Sequence, residues 1–219
     1  MAVATSAPNG GANWEVEVKF HCGDFSPLRE KIKEMGGDFL GLGEEVDTYY
    51  RHPSRDFAET GEALRIRTQS NSRSLDTDVQ NITGVAHQMS HLANATSPNG
   101  RSVLCYKGPK LSGPAKVRRE IETDVVGEEI QPLLEAVGFL PVLTISKTRE
   151  SWRLGKDGKI CVICLDEAHG LGKFVELEVV AKIEEREEAQ ARVLDLAGQL
   201  GLGEKEERSY LRMQLEKCR

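Results

Sequence analysis

Glu15, Glu17 and Lys19 stand two residues apart in the segment Glu15-Val16-Glu17-Val18-Lys19-Phe20. Successive side chains of an extended strand point to opposite faces. The three charges therefore share one face, and Val16, Val18 and Phe20 share the other. The same split recurs in Leu64-Arg65-Ile66-Arg67, in Lys116-Val117-Arg118-Arg119-Glu120-Ile121-Glu122 and in Phe174-Val175-Glu176-Leu177-Glu178-Val179. Strand after strand, the polar face carries charge where a solvated face would mix in Ser, Thr and Gln. Carboxylates arranged this way suit hard divalent cations, and guanidinium and ammonium groups suit phosphate oxygens. By parity the inward bases are Lys19, Arg65, Arg67, Lys107, Arg118, Lys147 and Arg149. The inward acids are Glu15, Glu17, Glu120, Glu122, Asp166, Glu176 and Glu178. Two readings stay open. The set is a web of salt bridges inside a polar barrel, where buried pairs are poor stabilisers, or the bases hold a polyphosphate and the acids hold its divalent cations.

The elements that must position these residues follow from period and punctuation. Strands are expected over 14–21, 39–52, 62–69, 101–107, 116–123, 141–153, 159–165 and 172–183, with helices over 27–35, 127–137, 184–200 and 209–217. Ser26 reads as the N-cap of the first helix, with Pro27 at its first position and Gly36-Gly37 ending it. Pro53 to Gly61 reads as a turn. Ile130, Leu133, Leu134 and Val137 mark one apolar helix face. The fold expected is α+β, an eight-stranded antiparallel β tunnel or barrel with flanking helices, because closure removes sheet edges. A lumen lined by charge cannot be a packed core, since unpaired buried charge is very costly.

The 219 residues suffice for one domain with a sizeable core, expected over residues 14–217 after a disordered leader at 1–13. The pattern collapses at about 70–100, which reads as a flexible insertion over one tunnel mouth. His87 and His91 within it are spaced as a helical metal pair would be but read as water-facing in so polar a segment, and the sequons at Asn81 and Asn94 carry no weight without export. A net charge of −6 argues against a nucleic-acid partner, which needs surplus Lys and Arg on one surface. No run approaches a membrane span. Five cysteines without an export signal point to reduced thiols and a cytoplasmic location. Cys161 and Cys164 form a C-x-x-C in a strand, so their sulfurs face opposite ways as buried small hydrophobes. No Gly-rich phosphate loop and no nucleophilic triad is present.

In order along the chain, Glu15/Glu17/Lys19, Arg65/Arg67, Lys107, Arg118/Glu120, Lys147/Arg149, Asp166 and Glu176/Glu178 resemble the signature of the CYTH superfamily, the triphosphate tunnel metalloenzymes. The stretch Gly170-Leu171-Gly172-Lys173-Phe174, together with Lys107-Gly108-Pro109 and Arg208-Ser209-Tyr210, is similar to the CyaB-type class IV adenylate cyclases. The resemblance implies that Lys19, Arg65, Arg67, Lys107, Arg118, Lys147 and Arg149 bind a triphosphate. It implies Glu15, Glu17, Glu176 and Glu178 as ligands of Mg²⁺ or Mn²⁺, with Glu120 and Asp166 assisting. Glu15, Glu17, Asp166, Glu176 and Glu178 would then carry catalysis. Asp47 is similar to an acidic position of cyclase-like members, and reads equally as a solvated residue near a turn. The activity implied is conversion of ATP to cyclic AMP and pyrophosphate. Hydrolysis of inorganic triphosphate, thiamine triphosphate or a nucleoside triphosphate stays open, and so does a catalytically silent polyphosphate-binding module. The partner expected is a small molecule bearing a triphosphate, and the assembly is left between monomer and homodimer.

Overall fold

The computed structural model describes residues 14–73, 100–155 and 160–218. The expected leader and most of the expected insertion lie outside them, as does the tip of the hairpin at 156–159.

Eight strands form a closed barrel: β1 (Trp14–Cys22), β2 (Asp38–Arg51), β3 (Ala63–Arg73), β4 (Arg101–Lys107), β5 (Lys116–Val125), β6 (Leu140–Leu154), β7 (Cys161–Ala168) and β8 (Gly172–Ala181). Their order around the barrel is β1-β5-β4-β3-β2-β6-β7-β8, and every pair is antiparallel. The helices are α1 (Ser26–Glu34), α2 (Phe57–Thr60), α3 (Gly127–Ala136), α4 (Arg186–Leu200) and α5 (Tyr210–Lys217). The eight-stranded antiparallel tunnel with flanking helices is thus the fold the charge alternation predicts.

The apolar core lies outside the tube. Val16, Val18 and Phe20 of β1, Val175, Leu177 and Val179 of β8, and Ile163 and Leu165 of β7 pack against α1 and α4 through Leu28, Ile32, Ala189, Val193 and Leu196. Period-2 apolar faces on the strands meet period-3.6 apolar stripes on the helices. A smaller cluster beneath α3 joins Tyr50, Leu64, Ile66 and Leu134. A third, with Tyr49, Ile145, Ala168, Phe174, Tyr210 and Met213, seats α5 across one end of the barrel.

Several local expectations change. Helix α1 starts at Ser26, and Asp24 Oδ1 accepts from both the Ser26 N–H and the Ser26 hydroxyl at 3.0 Å. Asp24, just ahead of the helix, therefore does the capping that Ser26 was expected to do. The expected turn at 53–61 contains α2, where Asp56 Oδ1 accepts from the Ala58 N–H at 2.8 Å. Strand β3 runs on to Arg73 instead of stopping at Gln69, because β2 is long enough to pair with it as far as Leu42. The apolar face of α3 is only half covered: Leu134 is buried and Ile130 packs inward, but Leu133 and Val137 are 55% and 59% exposed. All five cysteines are free, and Cys161 and Cys164 are buried as expected. No described helix is long and apolar enough to cross a membrane.

Ile163 is fully buried where β7 meets the α1 and α4 layer. Ile163→Ala should cost about 2–5 kcal/mol through lost transfer energy and the cavity left behind, read by urea denaturation.

Candidate functional site

Because side chains alternate, each strand turns its second set of residues into the barrel. They line a cavity of about 860 Å³. Register decides which charges meet there. Asp47 lies opposite Arg67, Glu45 opposite both Gln69 and Lys147, Arg149 opposite Asp166, and Lys107 opposite Glu120. On β1 and β8, Lys19 lies opposite Glu176, and Glu17 lies opposite Glu178.

On the wall made by β2, β3, β6 and β7 the buried carboxylates are each paired with cations. Asp47 accepts from Arg67 at 2.7 and 2.8 Å and from Arg65 at 3.2 Å. Burial alone would raise its pKa, but the two guanidinium groups hold it at about 2. Glu45 takes Arg67 at 2.9 Å, Lys147 at 3.2 Å and the Gln69 amide at 2.8 Å. Its carboxyl is held well below the ordinary range, again against the cost of burial. Asp166 has no solvent exposure and accepts from Lys147 at 2.9 Å, Arg149 at 2.7 and 2.6 Å, and the Tyr210 hydroxyl at 2.8 Å. The Lys19 ammonium sits 3.7 Å from the centre of the Tyr210 ring and donates to the Arg208 carbonyl at 3.1 Å. Helix α5 therefore reaches the charged band itself.

The wall made by β1, β5 and β8 carries more carboxylates than cations, with Glu15, Glu17, Glu120, Glu122, Glu176 and Glu178 against Lys19, Lys116 and Arg118. Lys107 serves both Glu15 at 2.8 Å and Glu120 at 3.1 Å. Lys116 serves Glu17 at 3.0 Å. Among the described residues, the cation within ion-pair reach of Glu178 is Arg149, at 3.5 Å, and Arg149 already engages Asp166 and Glu176. Burial and the neighbouring Glu120 raise the Glu15 pKa. Burial pushes Glu178 up to about 8 against the pull of Arg149, with Glu15, Glu176 and Glu17 adding to the rise. Like charges directly opposite across a ladder, as Glu17 and Glu178 are, destabilise a sheet unless a cation lies between them. This oxygen-rich wall, short of positive charge, fits Mg²⁺ or Mn²⁺. Glu122 lines the same cavity. Cys105 Sγ and carboxylate oxygens of Glu120 and Glu122 gather within 4.8 Å of one another, and the Cys105 thiol donates to Glu120 at 2.8 Å.

All the residues named from parity line this cavity except Asp166, which stands behind Lys147 and Arg149 as their anchor. Asp47 belongs to the charged band and is no solvated turn residue, being 2% exposed. Glu45, Gln69, Lys110 and Lys116 were not named. Glu45 and Lys116 share strand parity with Asp47 and Arg118, so alternation alone could have found them. Lys110 sits in a loop, where no period marks it. Gln69 closes the R-x-R strand on the same parity as Arg65 and Arg67.

Asp47→Asn removes the carboxylate that Arg65 and Arg67 share, leaving Arg67 with Glu45 and Arg65 without a close counterion, and should cost about 3–5 kcal/mol at neutral pH. The native pKa is depressed, so the wild-type advantage is complete above the ordinary carboxylate range and disappears as pH falls through about 2. Urea titrations at a series of acid pH values read it. Glu178 behaves oppositely. The folded chain keeps a proton that the unfolded chain releases, so stability falls as pH rises from about 5 to about 8. Glu178→Gln should therefore melt above the wild type at alkaline pH and converge with it in acid.

Residues 13–210 match the model of the CYTH domain. A Methanocaldococcus jannaschii protein, provisionally named an adenylate cyclase, is 27% identical over 203 residues, covering 91% of this chain and 97% of that protein. A Pyrococcus horikoshii OT3 protein of solved structure is 34% identical, with a TM-score of 0.73 over 93% of this chain and 99% of that one. The fold is shared at 16% identity and a TM-score of 0.58, over 94% of this chain and 96% of that one, by a Hippeastrum protein provisionally named an adenylyl cyclase, described as having a dominant triphosphatase activity. With the closed charged tunnel and a family match across most of its length, the chain belongs to the CYTH domain family.

Proposed function

We propose that this protein is a divalent-metal-dependent enzyme acting on a triphosphate within the tunnel, with class IV adenylate cyclase-like conversion of ATP to cyclic AMP and pyrophosphate as its leading activity. The observation that carries this reading is the division of the lumen into a cation-rich wall and a wall of under-neutralised carboxylates. A polyanion and the metal it brings would complement these two walls. Lys19, Arg65, Arg67, Lys107, Arg118, Lys147 and Arg149 would hold the phosphate chain. Glu15, Glu17, Glu176 and Glu178 would hold the cation, with Glu120 beside them.

When bound, Mg²⁺ or Mn²⁺ supplies Lewis acidity at phosphoryl oxygens. The rest of the work falls to the chain. Arg65, Arg67 and Arg149 already sit as buried, pre-aimed forks, so a phosphate that replaces a carboxylate partner costs little reorganisation. Asp166 and Asp47 keep those forks in place. Phosphoryl transfer depends mainly on such positioning and charge stabilisation. Attack by the ribose 3′-hydroxyl on the α-phosphorus breaks the bond to the bridging oxygen, giving cyclic AMP and pyrophosphate. Attack by water gives hydrolysis at the same site. The described activity of the Hippeastrum relative favours keeping hydrolysis as the second reading.

Incubation with ATP, inorganic triphosphate or thiamine triphosphate and Mg²⁺ or Mn²⁺, followed by product separation, tests the assignment. Cyclic AMP from ATP supports the cyclase reading, and phosphate release alone supports the hydrolase. Binding without turnover of any of the three would leave a silent polyphosphate module. Activity should vanish in excess chelator, and Glu17→Gln should lower turnover by on the order of 100-fold.

A further inference from the structure

Resting on the reading that the tunnel takes a polyphosphate, with Arg118 among the residues that hold it, we propose that Lys110 is a further binding residue that joins Arg118 on one phosphoryl group of that anion.

Most of the tunnel cations are already engaged. Lys19 pairs with Glu176, Lys107 with Glu15 and Glu120, and Lys116 with Glu17. Arg65 and Arg67 share Asp47, and Lys147 and Arg149 share Asp166. Arg118 differs. It faces the lumen from β5 and is only 8% exposed, yet among the described residues it has no hydrogen bond and no ion pair. A guanidinium cannot shed its charge, and a buried charge without a partner is costly.

Lys110 is carried over the same spot by the backbone. The loop after β4 folds back along β5, with the Gly108 N–H donating to the Arg119 carbonyl at 2.9 Å and the Leu111 N–H to the Val117 carbonyl at 2.8 Å. Lys110, between them, lines the cavity and makes no hydrogen bond or ion pair among the described residues. The charges that face it are Arg118 and Lys116 from β5, and Glu17 and Lys19 from β1. Burial, then Arg118 and Lys116, push its ammonium down to about 8, and Glu17 only partly offsets them.

Arg118, which is buried, is thus left short of an anion, and beside it stands Lys110, an exposed residue with no carboxylate paired to it among the described residues. A planar fork beside a point charge suits a phosphoryl group. Lys19, Arg65, Arg67, Lys107, Lys116, Lys147 and Arg149 must each release a carboxylate before they can take phosphate. Arg118 and Lys110 have none to release, so a polyphosphate gains most there for the least displacement. The docked phosphate also favours the charged ammonium, so binding takes up a proton near the point at which free Lys110 titrates.

Calorimetry of the full chain with sodium triphosphate, above pH 8 and in buffers of differing ionisation enthalpy, tests this. Wild type should bind with net proton uptake. Lys110→Met should bind about tenfold more weakly with that uptake lost. Lys110→Arg, permanently charged, should keep the affinity and also lose the uptake. Melting temperatures should not move, because Lys110 holds no contact that folding needs. Wild-type affinity and wild-type proton uptake in Lys110→Met would overturn the subsite alone, as would equal losses in the Met and Arg variants. A wild type that binds no triphosphate would overturn the tunnel reading and the subsite with it.

Discussion

A carboxylate enclosed in protein must be paired, protonated or bound to a cation, and the interior of this barrel is organised around that constraint. Moving an ion out of water costs several kcal/mol even after relaxation. Asp47 meets the cost with two arginines, and Asp166 with a lysine, an arginine and a tyrosine hydroxyl. These two nodes fix four basic side chains in one band. Such pairs contribute little net stability, because desolvation consumes most of their attraction. Their effect is geometric: they hold forks and ammonium groups pointing into a space that has no packed core.

Stability must then come from elsewhere. The aliphatic residues of β1, β7 and β8 and the stripes of α1 and α4 supply it on the outside of the tube. This separation lets one strand serve two purposes, since Val16 and Val18 pack outward while Glu15, Glu17 and Lys19 face in. Closure follows from the same economy. An open sheet with one charged face would solvate it and leave two edges unpaired, whereas a closed tube pairs every backbone group and concentrates the charge.

The two walls respond differently to enclosure. Where cations outnumber acids, carboxylates are held down, as at Asp47 and Glu45. Where acids crowd, they are pushed up, as at Glu15 and Glu178. Perturbation in both directions within one cavity is characteristic of sites built for a charged guest. Helix α5 ties its own end of the tunnel to this balance, because Tyr210 contributes to Asp166 and lies against Lys19.

Alternation by itself determined much of this protein. Period 2 assigns Glu15, Glu17, Lys19, Arg65, Arg67, Lys147, Arg149, Glu176 and Glu178 to one face of their strands, and from that an inward-facing charged barrel follows. The backbone's two-residue repeat is local, so it is legible in the chain. Which charge meets which was not legible, because register and strand order are set by long-range pairing. Only the fold placed Glu17 opposite Glu178, gathered Lys147 and Arg149 around Asp166, and brought Tyr210 from the far end of the chain to that same carboxylate. The short strand-like return after β4 lies beyond any periodic signal as well. Its backbone bonds to β5 carry Lys110 over Arg118, and no local pattern encodes a contact between a loop and the strand it folds back upon.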